Sequence, residues 1–203
     1  MDFSQRVIGF FASLIIVIRR FVLLIFLPYK TIRKVCLDND LLQAIIILFL
    51  ILLYFIVSNK LRVLYFSPFV VYFVFIINFL TTTGFFYYGA RILKSKTNYI
   101  PFFMTFSYSL FPTLIWFITS SGLYYVLPPP RTMSILGKSF SILFVAFSIS
   151  LLCWKIILMY LSVRFSGRLN FYRTIYLMLL YLCWFIPYSV LLYNLKLFRV
   201  PFI

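Results

Sequence analysis

Histidine is absent from the 203-residue chain, and the only acidic side chains are Asp2, Asp38 and Asp40. General acid–base catalysis near neutral pH draws mostly on His or on carboxylates of tuned pKa. All three acids precede the first expected span, which begins at Leu41, so no pair of carboxylates is expected to meet in a membrane pocket. The same shortage excludes a metal set of His, Asp or Glu. Cysteine is scarce and odd in number, and Cys36, Cys153 and Cys183 share no metal-ligand spacing. The last two lie in apolar runs, where a thiol acts as a small hydrophobe, so neither a disulfide nor a metal is expected. The motif GxSxG and the Walker and Rossmann loops are missing, and a cysteine nucleophile would lack its imidazole. The chain reads as a non-enzyme without cofactors.

What it has is apolar surface and positive charge. Hydrophobic residues make up 65% of the chain, against roughly 45–50% in soluble domains, and the mean hydropathy is +1.08. These values indicate an integral membrane protein. The 19 Lys and Arg give a net charge of +16, and since apolar spans hold charge poorly, it belongs to the loops. The basic residues flank the apolar runs, where they set topology and meet anionic headgroups. Nucleic acid is not the expected partner.

The run Val7 to Ile18 is interrupted by Arg19 and Arg20 before Phe21 to Leu27 resumes it, short of the roughly 20 unbroken apolar residues of a full span. Arg6, Ser13 and Arg20 fall seven apart and share one helical face. This pattern predicts an amphipathic helix lying in the membrane interface; an uncleaved signal anchor is the competing reading. Residues 1–40 are thus an N-terminal cytoplasmic or interfacial segment, with Asp38, Asn39 and Asp40 placed to cap the next helix. Residues 41–203 read as an all-α bundle of five transmembrane helices, at about 41–57, 63–88, 101–126, 139–163 and 174–195. Pro68, Pro112 and Pro187 are expected kinks, and Pro128 to Pro130 a stiff polyproline turn. Lys155 is placed about two turns from the end of its span, within reach of the interface by snorkelling.

The stretch Gly84 to Pro112 organises the rest. A Gly- and Tyr-rich turn, Gly84 to Gly89, leads into a basic hinge of Arg91, Lys94 and Lys96, followed by an apolar run carrying Tyr108 and Pro112. Alternating the five spans collects Arg6, Arg19, Arg20, Lys30, Arg33, Lys34, the hinge cations, Arg164, Arg168 and Arg173 on one side. Lys60, Arg62, Arg131, Lys138, Lys196 and Arg199 fall on the other, a two-to-one imbalance. The positive-inside rule then places the N-terminus and hinge in the cytoplasm and the C-terminus outside a plasma membrane.

The order of these features resembles the Yip family, the Ypt/Rab-interacting multi-pass membrane proteins, in its bacterial branch. The resemblance rests on Leu27-Pro28-Tyr29-Lys30-Thr31-Ile32, on Tyr88-Gly89-Ala90-Arg91-Ile92-Leu93, and on Tyr108, Leu110 and Pro112. Trp154 to Arg164 and Leu169 to Tyr176 extend it. The family's Gly-Gly-x-Gly hinge turn is here Lys94, Ser95, Lys96 and Thr97, which puts glycine-dependent backbone geometry in doubt. The resemblance implies a five-helix bundle with a cytosolic N-terminus. Eukaryotic members are associated with Rab-type GTPases and vesicle traffic, a partner not carried over to a chain without their long N-terminal arm.

Two functions follow. One is a membrane scaffold or adaptor whose Arg91, Lys94, Lys96, Arg164, Arg168 and Arg173 meet anionic lipid headgroups or other membrane proteins, a homo-oligomer being compatible with it. The other is a small transporter or permease subunit, in which Asn78, Thr81, Thr82, Thr83 and Tyr108 line a polar path beside Pro112.

Overall fold

The computed structural model of the chain describes residues 3–38, 40–61, 66–126 and 135–195. Eight helices follow in order: α1 (Phe3–Phe26), α2 (Pro28–Leu37), α3 (Leu41–Leu61), α4 (Pro68–Ile92), α5 (Tyr99–Ser109), α6 (Phe111–Val126), α7 (Ile135–Gly167) and α8 (Phe171–Asn194). Among the described residues six stretches are long and apolar enough to cross a membrane: Gly9–Phe26, Leu41–Lys60, Pro68–Ile92, Tyr99–Leu123, Gly137–Gly167 and Phe171–Asn194. The chain is an all-helical protein with the makings of a multi-pass membrane protein.

Local chemistry explains where the helices begin and break. Pro68 opens α4 instead of kinking a span, because its missing N–H is no loss in a first turn; Ser67 caps that turn, its Oγ accepting from Val70 N–H at 3.4 Å. The second span therefore starts at Pro68, five residues later than the sequence suggests, and runs to Ile92. At Pro112 the expected kink is a break: α5 ends at Ser109, Leu110 donates back to Ser107 O at 3.2 Å, and α6 begins at Phe111. Pro112 cannot donate to the Tyr108 carbonyl and its ring crowds it. Pro187 is retained inside α8. Pro128 to Pro130, Arg62, Arg131, Lys196 and Arg199 lie outside the described residues.

The stretch Gly84 to Gly89 is helical throughout, not a turn. Gly89 serves close packing: a Cβ built there would stand 2.6 Å from Leu177 Cδ2 of α8.

The span formed by α5 and α6 is the centre of the bundle, 67% of it buried, whereas the α7 span is 17% buried. The α5–α7 seam is made by small hydroxyl residues, which let helices approach and bond directly where water is absent. Ser162 Oγ donates to Thr105 O at 3.2 Å, Thr105 and Ser166 share a 2.8 Å hydroxyl bond, and Ser166 donates to Pro101 O at 3.0 Å. Two apolar cores flank it. One, rich in aromatics, gathers Phe75, Phe79, Phe86, Phe106, Phe117 and Tyr181. The other joins Val17, Leu24, Ile32, Val35, Ile47, Met104 and Leu158. On the outside, Ile142, Leu143, Val145 and Ile149 of α7 are exposed, an apolar surface suited to lipid.

Candidate functional site

Two helix ends build one corner of the molecule. At the end of α4, Ser95 N–H bonds to Ala90 O (3.0 Å) and Lys94 N–H to Arg91 O (2.9 Å). The end of α7 repeats this with Leu169 N–H on Arg164 O (3.3 Å) and Arg168 N–H on Phe165 O (3.4 Å). This bond pair is the Schellman cap, which drives one residue into the left-handed region. Those residues are Lys94, at φ 64°, and Arg168, at φ 46°. Glycine would adopt this backbone without steric cost; Lys94 adopts it without glycine and sets a cation where free carbonyls favour positive charge.

The hinge and the α7–α8 loop are bonded to each other. Ser95 Oγ donates to Gly167 O at 2.6 Å, and Arg173 Nη1 donates to Leu93 O at 3.2 Å. Against this corner lies α2, held by Tyr29 edge-on to Phe165 with ring centroids 4.9 Å apart. Between them is a cavity of about 570 Å³ whose charge comes from Arg33, Lys96 and Arg168; Cys36, Thr97, Asn98 and Ser166 add polar lining, and none of the described residues lining it is acidic. Burial raises the Cys36 thiol pKa, with smaller opposing effects from Ser166 and Arg168. The thiol stays protonated and is not poised as a nucleophile.

Of the six basic residues expected to contact headgroups, Lys96 and Arg168 line this cavity. Lys94 takes the left-handed position of the α4 cap and Arg173 bonds Leu93 O, and neither lines the cavity. Arg91 folds back over Tyr87, its guanidinium 5.8 Å from the ring centroid, and Arg164 donates to Tyr160 OH at 3.2 Å. The third lining cation, Arg33, is one the sequence groups with the hinge cations without singling it out.

A second polar cluster was not foreseen. Ser13 and Arg20 share a face of α1 as the periodicity requires, and that face is turned to the protein. Ser13 Oγ donates to Asp40 Oδ2 at 2.9 Å, and Arg20 pairs with Asp38 and donates to Gln43 Oε1 at 2.6 Å. Gln43 Nε2 donates to Asp40 Oδ2 at 2.9 Å, and the fully buried Tyr108 hydroxyl donates to Gln43 Oε1 at 2.7 Å. Each of these two carboxylates is thus neutralised or bonded by α1 or α3. What α1 leaves exposed is Phe10, Phe11, Ile15, Ile18, Val22 and Ile25, with Arg19. The side chain of Arg6 lies outside the described residues.

The polar residues assigned to a path through the bundle separate. Asn78 and Thr82 line one internal cavity, where Thr82 bonds the Tyr181 hydroxyl at 2.9 Å. Thr83 bonds Tyr99 OH at 2.8 Å, and exposed Thr81 donates to Ile77 O at 2.8 Å. Tyr108 belongs to the Arg20 cluster, and Pro112 borders a groove between α6 and α7. Lys155 lies three turns, not two, before the end of α7, because the helix continues through the Arg-Phe-Ser-Gly stretch to Gly167. Comparison of the chain with protein-family models, with curated proteins and with solved structures finds no match.

Proposed function

We propose that the chain is a non-enzymatic membrane-organising protein of Yip type that holds an anionic phospholipid headgroup between α2, the hinge and the α7–α8 loop. The observation that carries this reading is the cavity lined by Arg33, Lys96 and Arg168 without a compensating acid. Three cations in one recess repel each other, and a multivalent oxyanion relieves that repulsion while accepting their hydrogen bonds. The proposed topology has the hinge facing the cytoplasm of a plasma membrane, where anionic lipid is concentrated. In this reading α1 is a sixth span, supported by its inward polar face and apolar outer surface, and the start of the chain then lies on the far side.

The test is lipid retention by the full chain purified in mild detergent from membranes with equal zwitterionic and anionic phospholipid. The wild type retains the anionic class preferentially, and the preference fades with added salt. Replacing Arg33, Lys96 and Arg168 by Gln lowers it at least threefold; replacing Arg91 does not. Equal retention by the wild type and the triple variant, both eluting as folded protein, would sink the reading.

A further inference from the structure

One half-buried cation of α7, Lys155, borders two cavities, and among the described residues no acidic side chain lines either. Lys155 is twelve residues before Gly167, which places its Cα roughly 18 Å along the helix from that end, near the middle of the apolar stretch Gly137–Gly167. The residues around it give the same depth. It lines a cavity of about 190 Å³ with Asn78 and Thr82 of α4, Ser109 of α5 and Tyr181 of α8. Each of these sits near the middle of its own span. On its other side Lys155 lines the groove of about 340 Å³ between α6 and α7, beside Pro112, Thr113 and Ser148.

A lysine in an apolar layer keeps its charge only at a cost that a paired anion removes, and intramembrane ionisable residues mark ligand or ion sites by default. Neither cavity contains an acidic side chain. Asp38 and Asp40 are engaged by Arg20, Ser13 and Gln43. Among the described residues, then, no acid is placed to supply a counter-charge at Lys155, and a ligand is the source the cavities allow. Apart from the lysine, aromatic and aliphatic side chains such as Phe75, Phe79, Met159 and Phe185 form most of the first cavity wall. Such a wall accepts a hydrocarbon chain and rejects a hydrated headgroup.

We propose that Lys155 is the anchor of a binding site for a long-chain carboxylate, a free fatty acid, whose hydrocarbon occupies the apolar cavities and whose carboxylate pairs with the ammonium. A carboxylate suits this depth better than a phosphodiester because one proton transfer from Lys155 turns the ion pair into a neutral amine and acid, held by the same hydrogen bond. The Thr82–Tyr181 hydroxyl pair adds a donor: one of its two protons is used within the pair and the other is free to reach the carboxylate. The site is separate from the basic cavity at the hinge, and each can fail without the other.

Full-length protein in detergent is loaded with oleate carrying ¹³C at the carboxyl, passed through gel filtration, and read by retained ligand and by the ¹³C shift. Wild type retains oleate, with a shift distinct from that of micellar oleate. Lys155→Met, close to lysine in length and apolar, retains at least tenfold less while melting no lower than wild type. Lys155→Arg preserves retention. Leu152→Trp, which keeps the lysine and fills the space beside it, also loses oleate. Equal retention by wild type and Lys155→Met overturns the proposal. So does displacement of oleate by its methyl ester, which has the chain without the charge, or retention of dioleoyl phosphatidic acid in preference to oleate.

Discussion

Arg20 of α1 closes on Asp38 of the α2–α3 turn, and the same guanidinium donates to Gln43 Oε1 at 2.6 Å while standing 5.8 Å from the centroid of the Tyr108 ring. One side chain thereby ties α1 to α3 and α5, and its loss strands several groups at once. A half-buried carboxylate left without its cation, and a buried amide oxygen reduced to the Tyr108 hydroxyl as its donor, cost more than the pair itself contributes. Arg20→Ala is expected to destabilise the folded protein by about 2 kcal/mol, a figure that allows for the partial exposure of Asp38. Asp38→Asn, which retains an acceptor, costs less. Thermal melting in detergent of both variants and the double variant checks this: the double should fall short of the sum, since the two residues share one interaction.

How much of this was legible beforehand depends on what each feature rests on. The apolar runs of α3 to α8 identify themselves because length and composition suffice, and Asp40 caps α3 as its position suggested, accepting from Leu42 N–H at 3.2 Å. Alternation of spans also puts the hinge, Arg33 and the Arg164 loop at one end, where they meet. The Arg20 cluster was not legible. Periodicity places Ser13 and Arg20 on a common face, but which way it points depends on where Asp38 and Asp40 come to lie, a tertiary fact. Arg19 and Arg20 read as one interruption, although neighbours on a helix diverge by about 100°; Arg19 is exposed and Arg20 faces inward. Lys155 was misplaced for a simpler reason: Arg164 to Gly167 has loop composition yet continues α7, so the helix end was set too early.

Lys94 and Arg168 are left-handed residues in positions that glycine fills best. Lys94→Gly and Arg168→Gly should each stabilise the fold by up to about 1 kcal/mol, less the lost attraction between cation and helix end. Their effects on lipid retention differ. Arg168 lines the basic cavity and Lys94 does not, so Arg168→Gly lowers anionic lipid retention while Lys94→Gly leaves it near the wild-type value. A rise in melting temperature with a fall in retention, seen for Arg168 alone, is the expected pattern.

Gly89 and Leu177 define the spacing of α4 and α8. A methyl group at position 89 meets only the tip of a leucine side chain, which can turn, and it removes the entropic penalty of a helical glycine. Gly89→Ala is therefore expected within about 1 kcal/mol of wild type. Gly89→Phe cannot be absorbed by rotating Leu177 and should cost about 1–3 kcal/mol through overpacking. Leu177→Ala should recover part of that loss, which a melting series on the single and double variants would reveal; no recovery would mean that the glycine matters for another reason.

Cys36 reports on occupancy of the basic cavity. Burial raises its pKa, and Arg168 offsets part of that rise by favouring the thiolate. Maleimide reacts with the thiolate, so Cys36 should label more slowly at neutral pH than a free thiol, its rate climbing at a higher pH than usual. Cys153 and Cys183 lie in apolar spans, and a Cys153→Ala, Cys183→Ala background isolates the signal. Arg168→Gln withdraws the favourable charge, so the rate profile should move to still higher pH. Added anionic phospholipid should act in the same direction, since an oxyanion seated among Arg33, Lys96 and Arg168 cancels the field that favours the thiolate and blocks access to it; zwitterionic lipid should not. A profile unmoved by either change would mean that Cys36 does not feel the cations around it.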